Sequence, residues 1–388
     1  MRVLTIHNAY KIRGGEDESR AAEEKLLRDQ GHQVETYEEH NDSLRDFNPA
    51  QLAVKTIWSS SSFRNVRERL QKDKYDVVHV QNFFPLISPS VYFAASAEGV
   101  PVVQTLRNYR LLCPNALFFR DGSVCEDCLG KPIPYPGVIH SCYRESRTAS
   151  AGVATMLVVH NLINTWKNKV TLYIALTEFA KKKFVSAGFP PDKIVVKPNF
   201  VAPDPGVGSR KGDFALYVGR LSVEKGLDTL LEAWERLDQP IPLKIVGDGP
   251  LSDMVQKAVD RLPNITWLGR LPMNRVHSLM GDAKFLVFPS KWYETFGRVA
   301  VEAYAKGTPV IASNIGAIAE IVDSERTGLH FIPGDASDLA SKVDWLLANT
   351  PTLERMQKTV RSEYESKYTA DRNYQQLIDI YERAKLLA

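Results

Sequence analysis

Phe285-Leu286-Val287-Phe288-Pro289-Ser290-Lys291-Trp292-Tyr293-Glu294-Thr295-Phe296-Gly297-Arg298-Val299-Ala300-Val301-Glu302 reads as a buried strand, a turn and the start of a helix. Four consecutive apolar residues end at Pro289, and Gly297 gives the backbone freedom before a helix that the spacing predicts over Arg298 to Lys306, with Gly307 as its stop. A helix entered from a strand end aims free N–H groups and the positive end of its dipole beyond the sheet, which favours an anionic ligand. Glu302 falls about one turn inside an otherwise apolar helix, where an unpartnered carboxylate is costly. The vicinal hydroxyls of a ribose would satisfy its two oxygens. The alternative reading makes Glu294 a solvated loop acid and pairs Glu302 with a lysine.

The same strand-then-helix alternation runs through the chain. In the first half the expected strands are Val3 to Ile6, Val34 to Tyr37, Val77 to Val80, Val102 to Thr105, Leu172 to Leu176 and Ile194 to Lys197. After a stretch holding Pro198, Pro203, Pro205, Gly206, Gly208 and Gly212, the pattern restarts with Phe214 to Val218, Leu243 to Val246, Ile265 to Leu268, Phe285 to Phe288, Val310 to Ala312 and His330 to Ile332. Alternation of this kind builds parallel sheets covered by helices. With 388 residues the chain is too long for one ordinary core. The expected division is an α/β pair of doubly wound domains, 1–200 and 210–368, facing each other across a cleft, with a cysteine-rich insertion at 107–147. An amphipathic helix over 369–388 has Tyr374, Leu377, Ile378, Tyr381 and Ala384 on one face.

A net charge of +3 calls for no nucleic-acid partner. No apolar run approaches the roughly 18 to 20 residues that span a bilayer, and Met1 to His7 reads as a strand rather than a signal peptide. A cytoplasmic protein is expected. Lys181, Lys182 and Lys183, with Lys167 and Lys169, make a basic face that is either plainly solvated or drawn to anionic lipid at the inner face of the plasma membrane.

Other strand ends carry chemistry. Gly219-Arg220 follows a strand, and Lys225-Gly226 stands just before the next helix, so that two cations are available to a diphosphate. Charge that builds on a departing diphosphate would be stabilised there. Gly247-Asp248-Gly249 and Gly269-Arg270-Leu271 are tight turns after two further strands. Gly14 and Gly15 precede a helix from about Asp17 to Gln30, a turn that could meet phosphate or acceptor. His79 ends a strand. A two-domain nucleotide-sugar epimerase or an NAD-dependent oxidoreductase would also use doubly wound units; no dinucleotide glycine fingerprint follows the first strand, which weighs against the oxidoreductase.

Gly219-Arg220 with Lys225, Gly247-Asp248-Gly249, Leu268-Gly269, Pro289-Ser290, Glu294 and Glu302 with seven residues between them, Gly307-Thr308-Pro309-Val310 and Gly328 resemble, in that order, the donor half of the family 4 retaining glycosyltransferases. Gly14-Gly15-Glu16, Asp76 to His79 and Pro101 to Thr105 resemble the other half more loosely. The resemblance implies a GT-B fold and transfer of sugar from a nucleoside diphosphate, a UDP-sugar first, to a carbohydrate, lipid-linked or small-molecule acceptor. It implies that Arg220 and Lys225 hold the diphosphate and that Glu302 holds the ribose. Glu294, Thr295 and the amides of Phe296 and Gly297 would meet the transferred sugar. Gly247, Arg270 and Leu271 would lie near the nucleotide, and Gly14, Gly15 and His79 near the acceptor. No catalytic metal is implied. The other possibility is a binding protein without turnover, which would be marked by loss of one of the four charges; all four are present. Where members of the family carry a histidine this chain has Arg107, which cannot accept a proton at neutral pH and is expected to bind an anionic group instead.

Cys113, Cys125, Cys128 and Cys142 lie together in the insertion, and Cys125-Glu126-Asp127-Cys128 has zinc-knuckle spacing. A structural zinc ion and four free thiols are the two expectations; a disulfide is disfavoured in a reducing compartment.

Overall fold

The computed structural model describes residues 1–11, 14–209 and 211–388. It divides into two compact units. The first comprises Met1–Phe118, Cys125–Pro198 and Asn373–Ala388, and the second Phe119–Val124 and Asn199–Arg372.

The sheet of the first unit contains β1 (Arg2–Ala9), β2 (Gln33–His40), β3 (Val77–Asn82) and β4 (Val102–Leu106). After the two-residue strands β5 (Phe119–Arg120) and β6 (Ser123–Val124), it is completed by β7 (Leu172–Ala175) and β8 (Ile194–Val196). Strand order is β2-β1-β3-β4-β7-β8, all parallel. Strands β3, β4 and β7 are buried along their whole length, as a parallel sheet covered on both faces requires. Their near-continuous apolar sequence follows from that burial.

The second unit repeats the plan with β9 (Ala215–Val218), β10 (Leu243–Val246), β11 (Ile265–Trp267), β12 (Phe285–Phe288), β13 (Val310–Ser313) and β14 (Gly328–Phe331). Its order is β11-β10-β9-β12-β13-β14, again parallel. The last strand starts two residues earlier than the sequence suggests. Ile332 lies outside it because its N–H donates to the Asp338 carboxylate at 2.7 Å, and its side chain is exposed. The described residues from Asn199 to Asp213 form neither helix nor strand.

Within the insertion, β5 and β6 make an antiparallel hairpin that the sequence reading passed over. Its signal was Asp121-Gly122, both at positive φ, the dipeptide that two-residue hairpin turns favour. A helix, Tyr135–Ile139, follows.

The C-terminal helix, Ala370–Leu386, contributes from Asn373 onward to the first unit's core. Leu377, Ile380, Tyr381 and Ala384 pack with Val3, Leu27, Val77, Val103, Leu172 and Ile174. Leu377 is fully buried, so Leu377→Ala removes methyl groups from a site that cannot refill. We expect a loss of about 2–5 kcal/mol, read from urea unfolding of the first unit; a loss below the range for surface changes would mean that the helix does not carry this core.

Candidate functional site

The second sheet winds outward from β9 through β10 to β11, then returns to β9's other side as β12. Strand order therefore reverses between β9 and β12, the kind of position at whose carboxyl ends open α/β sheets form a ligand-binding crevice. The loop after β9 carries Arg220 and Lys225. The loop after β12 carries Glu294, and the helix Arg298–Ala305 that follows carries Glu302. Both expected charge pairs thus flank one crevice.

Close backbone approach holds these loops together. Gly226 has φ +70°, and a Cβ there would stand 1.9 Å from the Pro289 carbonyl oxygen. Only glycine lets the two loops touch. Farther along, Leu221 N–H donates to Asp248 O at 2.9 Å and Gly247 N–H to Gly269 O at 2.8 Å. These bonds tie the turns after β9, β10 and β11 in sequence and fix Arg270 and Leu271 at the same end of the sheet. Arg220 and Arg270 are exposed, and Leu271 is half-buried.

Glu294 is buried at 8% exposure, and its Oε1 collects three donors: Lys225 Nζ at 2.6 Å, Ser290 Oγ at 2.9 Å and Trp292 Nε1 at 2.9 Å. Lys225 Nζ also lies 5.1 Å from the centre of the Trp292 ring. Three donors on one oxygen compensate the carboxylate for lost water and hold it in one orientation. Trp292 and Ser290 were not assigned roles from sequence. Their signal was the indole and hydroxyl placed two and four residues before a carboxylate that had to be buried.

Glu302 is 2% exposed, and its Oε1 accepts from Arg298 Nε at 2.8 Å. The partner four residues back on the helix is thus an arginine, where the alternative reading had a lysine. Phe296 is buried and meets Tyr368 edge-on at 6.1 Å, and Thr295 is half-buried. Gly297, at φ +149°, is the residue from which the helix starts. Of the expected residues, Lys225 and Glu294 are in direct contact, joined by Ser290 and Trp292, and Glu302 is paired with Arg298; Arg220 stands exposed at the end of β9, and Thr295, Phe296 and Gly297 lie between Glu294 and the helix that carries Glu302.

In the first unit, His79 stands in the core. It is fully buried, its Nδ1 meets Tyr381 Oη at 2.6 Å, and its Nε2 meets Thr105 Oγ1 at 2.7 Å. Both ring nitrogens are engaged, so the expectation of a direct acceptor contact is corrected: His79 belongs to a buried polar network. Lys197, 1% exposed, donates to Glu23 Oε2 at 2.9 Å and to Asn373 Oδ1 at 3.0 Å. Gln81 Nε2 donates to Glu23 Oε1 at 2.6 Å, and Arg107 Nε to Gln81 Oε1 at 2.7 Å. Arg107 is itself buried. Burial works to raise the Glu23 carboxyl, but the charges of Lys197, His79 and Arg107 outweigh it and hold the group at about 2.

None of the four cysteines forms a disulfide; Cys113 and Cys128 are buried, Cys125 and Cys142 half-buried. Burial pushes the Cys128 thiol up to about 11, so it keeps its proton at neutral pH. Cys113, Cys142 and Cys125 all act on the Cys128 thiol, so the four sulfurs lie in one neighbourhood; among the described residues no three His, Cys, Asp or Glu side chains form a group that could hold a metal ion as they stand. Also among the described residues, no helix is long and apolar enough to cross a membrane. Lys183, from the basic face, pairs with Glu126.

With this geometry in view, the likeness to known proteins is specific. Residues 206–363 match the family model of glycosyl transferases group 1. An uncharacterized glycosyltransferase of Methanocaldococcus jannaschii is 34% identical over 175 residues, 44% of this chain and 48% of that one. Glycogen synthase of Mycobacterium tuberculosis is 36% identical over 159 residues, 39% of this chain and 38% of the other. The chain thus matches half or less of the length of these relatives. Anabaena HepE, solved in complex with UDP, superposes with a TM-score of 0.70 at 17% identity, covering 98% of this chain and 99% of that one. Two α/β units with parallel sheets give this chain the fold of the GT-B glycosyltransferases.

Burial lowers His79 to about 4, with Arg107 and Lys197 acting in the same sense and Glu23 against it. Its native value lies below the ordinary 6.5, so the neutral ring contributes stability that is present above pH 6.5 and lost as pH falls through the window toward 4. In urea unfolding between pH 7 and pH 4.5, the first unit should weaken with acid. His79→Gln should flatten that dependence by about one proton; an unchanged slope would remove His79 as its source.

Proposed function

We propose that the chain is a retaining glycosyltransferase of family 4 that moves a sugar from a nucleoside diphosphate sugar, a UDP-sugar first, to an acceptor hydroxyl. The product class is polysaccharide, glycolipid or a specialised glycoside. The observation that carries this reading is the Lys225–Glu294 pair, which joins the loops leaving β9 and β12 where strand order reverses, with Arg220 at the end of β9 and Glu302 on the helix after β12. The match of residues 206–363 to glycosyl transferases group 1 supports it, as does the fold shared with a protein solved with UDP.

Lys225 is at present neutralised by Glu294 at 2.6 Å. An arriving diphosphate competes for the ammonium and frees the Glu294 carboxylate to accept from sugar hydroxyls. Arg220, exposed and carrying a planar fork of donors, takes phosphate oxygens in pairs. Glu302, held in orientation by Arg298, is the carboxylate offered to a ribose diol. Negative charge grows on the departing diphosphate as the glycosidic bond breaks, and the two fixed cations stabilise it more in the transition state than in the ground state. Retention follows if the acceptor attacks from the face that the diphosphate leaves, its hydroxyl proton passing to the departing phosphate oxygen. Glu294 then orients the sugar and forms no covalent bond to it. The cations supply the charge neutralisation for which other transferases use a divalent ion.

Thermal denaturation with UDP, GDP, ADP and NAD tests the reading. At a hundredfold excess over its dissociation constant, a nucleotide stabilises by about 2.7 kcal/mol, a shift of several degrees. UDP is expected to give it, Lys225→Ala to abolish it, and the same variant to lower kcat by about 10²- to 10³-fold. Stabilisation by NAD alone would sink the proposal in favour of an oxidoreductase.

A further inference from the structure

The four thiols of the insertion after β4 take no part in the donor site or in the buried polar network of the first unit. Cys113 precedes the β5–β6 hairpin, Cys125 and Cys128 follow it, and Cys142 follows the helix Tyr135–Ile139. The backbone draws them together at two residues. One is Gly137, which lies so close to the residue after Cys113 that a Cβ on it would stand 2.6 Å from Pro114 Cγ. Its carbonyl accepts the Cys142 N–H at 2.9 Å, and its own N–H acts on the Cys128 sulfur. The other is Phe118, whose carbonyl accepts the Cys125 N–H at 2.8 Å and whose N–H acts on the Cys113 sulfur. Each of the four is thus tied to this one neighbourhood.

The surroundings favour thiolates. Burial raises the Cys113 thiol above its ordinary value, but the backbone N–H groups of Phe118, Asn115 and Ala116 and the charge of Arg110 all act against it. Several amides gathered on one sulfur suit a ligated thiolate better than a thiol, which is a weak acceptor. As thiols, two of the four are turned to oxygen: Cys113 Sγ donates to Asn115 Oδ1 at 2.9 Å and Cys128 Sγ to the Pro134 carbonyl at 3.8 Å. In this state no three ligand side chains among the described residues form a group that could hold an ion. A thiolate donates neither bond. Loss of the proton therefore frees each sulfur to turn about its Cα–Cβ bond into another staggered position.

The donor set chooses the ion. Glu126, between the two closest cysteines, is paired with Lys183, which leaves sulfur as the ligand on offer. Tetrahedral sites of four sulfurs suit zinc or iron–sulfur centres, and for a single ion zinc. Four protein ligands leave no open position, so the ion would be structural. Cys125 and Cys142 are half-buried and give it a way in. The amides and Arg110 offset the excess negative charge of the thiolates. Between β4 and the helix Arg147–Leu162, regular structure amounts to a hairpin of two-residue strands and a five-residue helix, elements that are marginal without a staple.

We propose that Cys113, Cys125, Cys128 and Cys142 bind one zinc ion through their four sulfurs, and that the ion fixes the insertion at the carboxyl end of β4. Each ligating thiol gives its proton to solvent as its Zn–S bond forms, and no oxidation state changes.

The full chain, purified under reducing conditions without chelator, is submitted to elemental analysis, and about one zinc per chain is expected. Chelation should lower Tm by several degrees, and zinc but not magnesium should restore it. A thiol reagent should modify the four cysteines slowly before chelation and rapidly after it. Cobalt(II) in place of zinc should give sulfur-to-metal absorption and the intense d–d bands of a tetrahedral site, a readout that requires no variant. Cys128→Ser should weaken zinc by about 10²-fold or more, and Gly137→Ala, which keeps every thiol but forces Pro114 away, by about tenfold. Rapidly modified thiols in a chain that neither carries zinc nor gains stability from it would overturn the site. Iron in place of zinc would do the same, as would undiminished zinc in Cys128→Ser.

Discussion

Reversal of strand order is the constraint on which the rest of this molecule depends. A parallel sheet wound outward in one direction only would send every loop past its neighbour. Winding both ways from β9 separates the loops that leave β9 and β12, and the charged residues of the second unit sit on those two loops. Their packing is strict where it matters: Gly226 and Pro289 approach so closely that no Cβ fits between them. That contact sets the distance across which Lys225 reaches Glu294.

Burying charge in the first unit follows a different logic. Glu23, Lys197, Arg107 and His79 are removed from water, and none is left alone. Breaking such a set by deleting one partner strands the others, which is far more costly than never having built it. The network also determines where the C-terminal helix lies. Asn373 accepts from Lys197 and donates to the Pro198 carbonyl, and Tyr381 meets His79. Apolar packing of Leu377 and Ile380 supplies the drive to bury the helix. The polar contacts specify its register, because a shift by one residue would take Asn373 away from Lys197 and Tyr381 away from His79.

Much of this was legible in the chain. Twelve apolar segments in two runs separated by a Pro/Gly-rich stretch give two parallel sheets, since strands buried on both faces must be apolar throughout. Glu294, Glu302, Arg220 and Lys225 stood out because charge beside a buried strand end needs a reason. What the sequence did not disclose was who pairs with whom. Trp292 reads as core until its indole N–H is seen on Glu294, and Arg298 reads as a solvated helix charge until it is seen holding Glu302. His79 misled for the opposite reason: a histidine at a strand end looks available, and only the return of Tyr381 from far along the chain shows it to be spent. The spacing of the cysteines fixes their separation along the chain; that Cys113, Cys125 and Cys142 all come close enough to act on Cys128 is seen only in the fold.

The two units differ in what their buried charges are free to do, and the difference follows from which groups are already paired. In the second unit each carboxylate has a cation beside it, Glu294 with Lys225 and Glu302 with Arg298, so an entering dianion exchanges partners rather than meeting bare negative charge. In the first unit Glu23 is shared by Lys197 and Gln81, and Gln81 also accepts from Arg107, all of them buried, so the same kinds of group serve to hold the C-terminal helix on the sheet through Asn373.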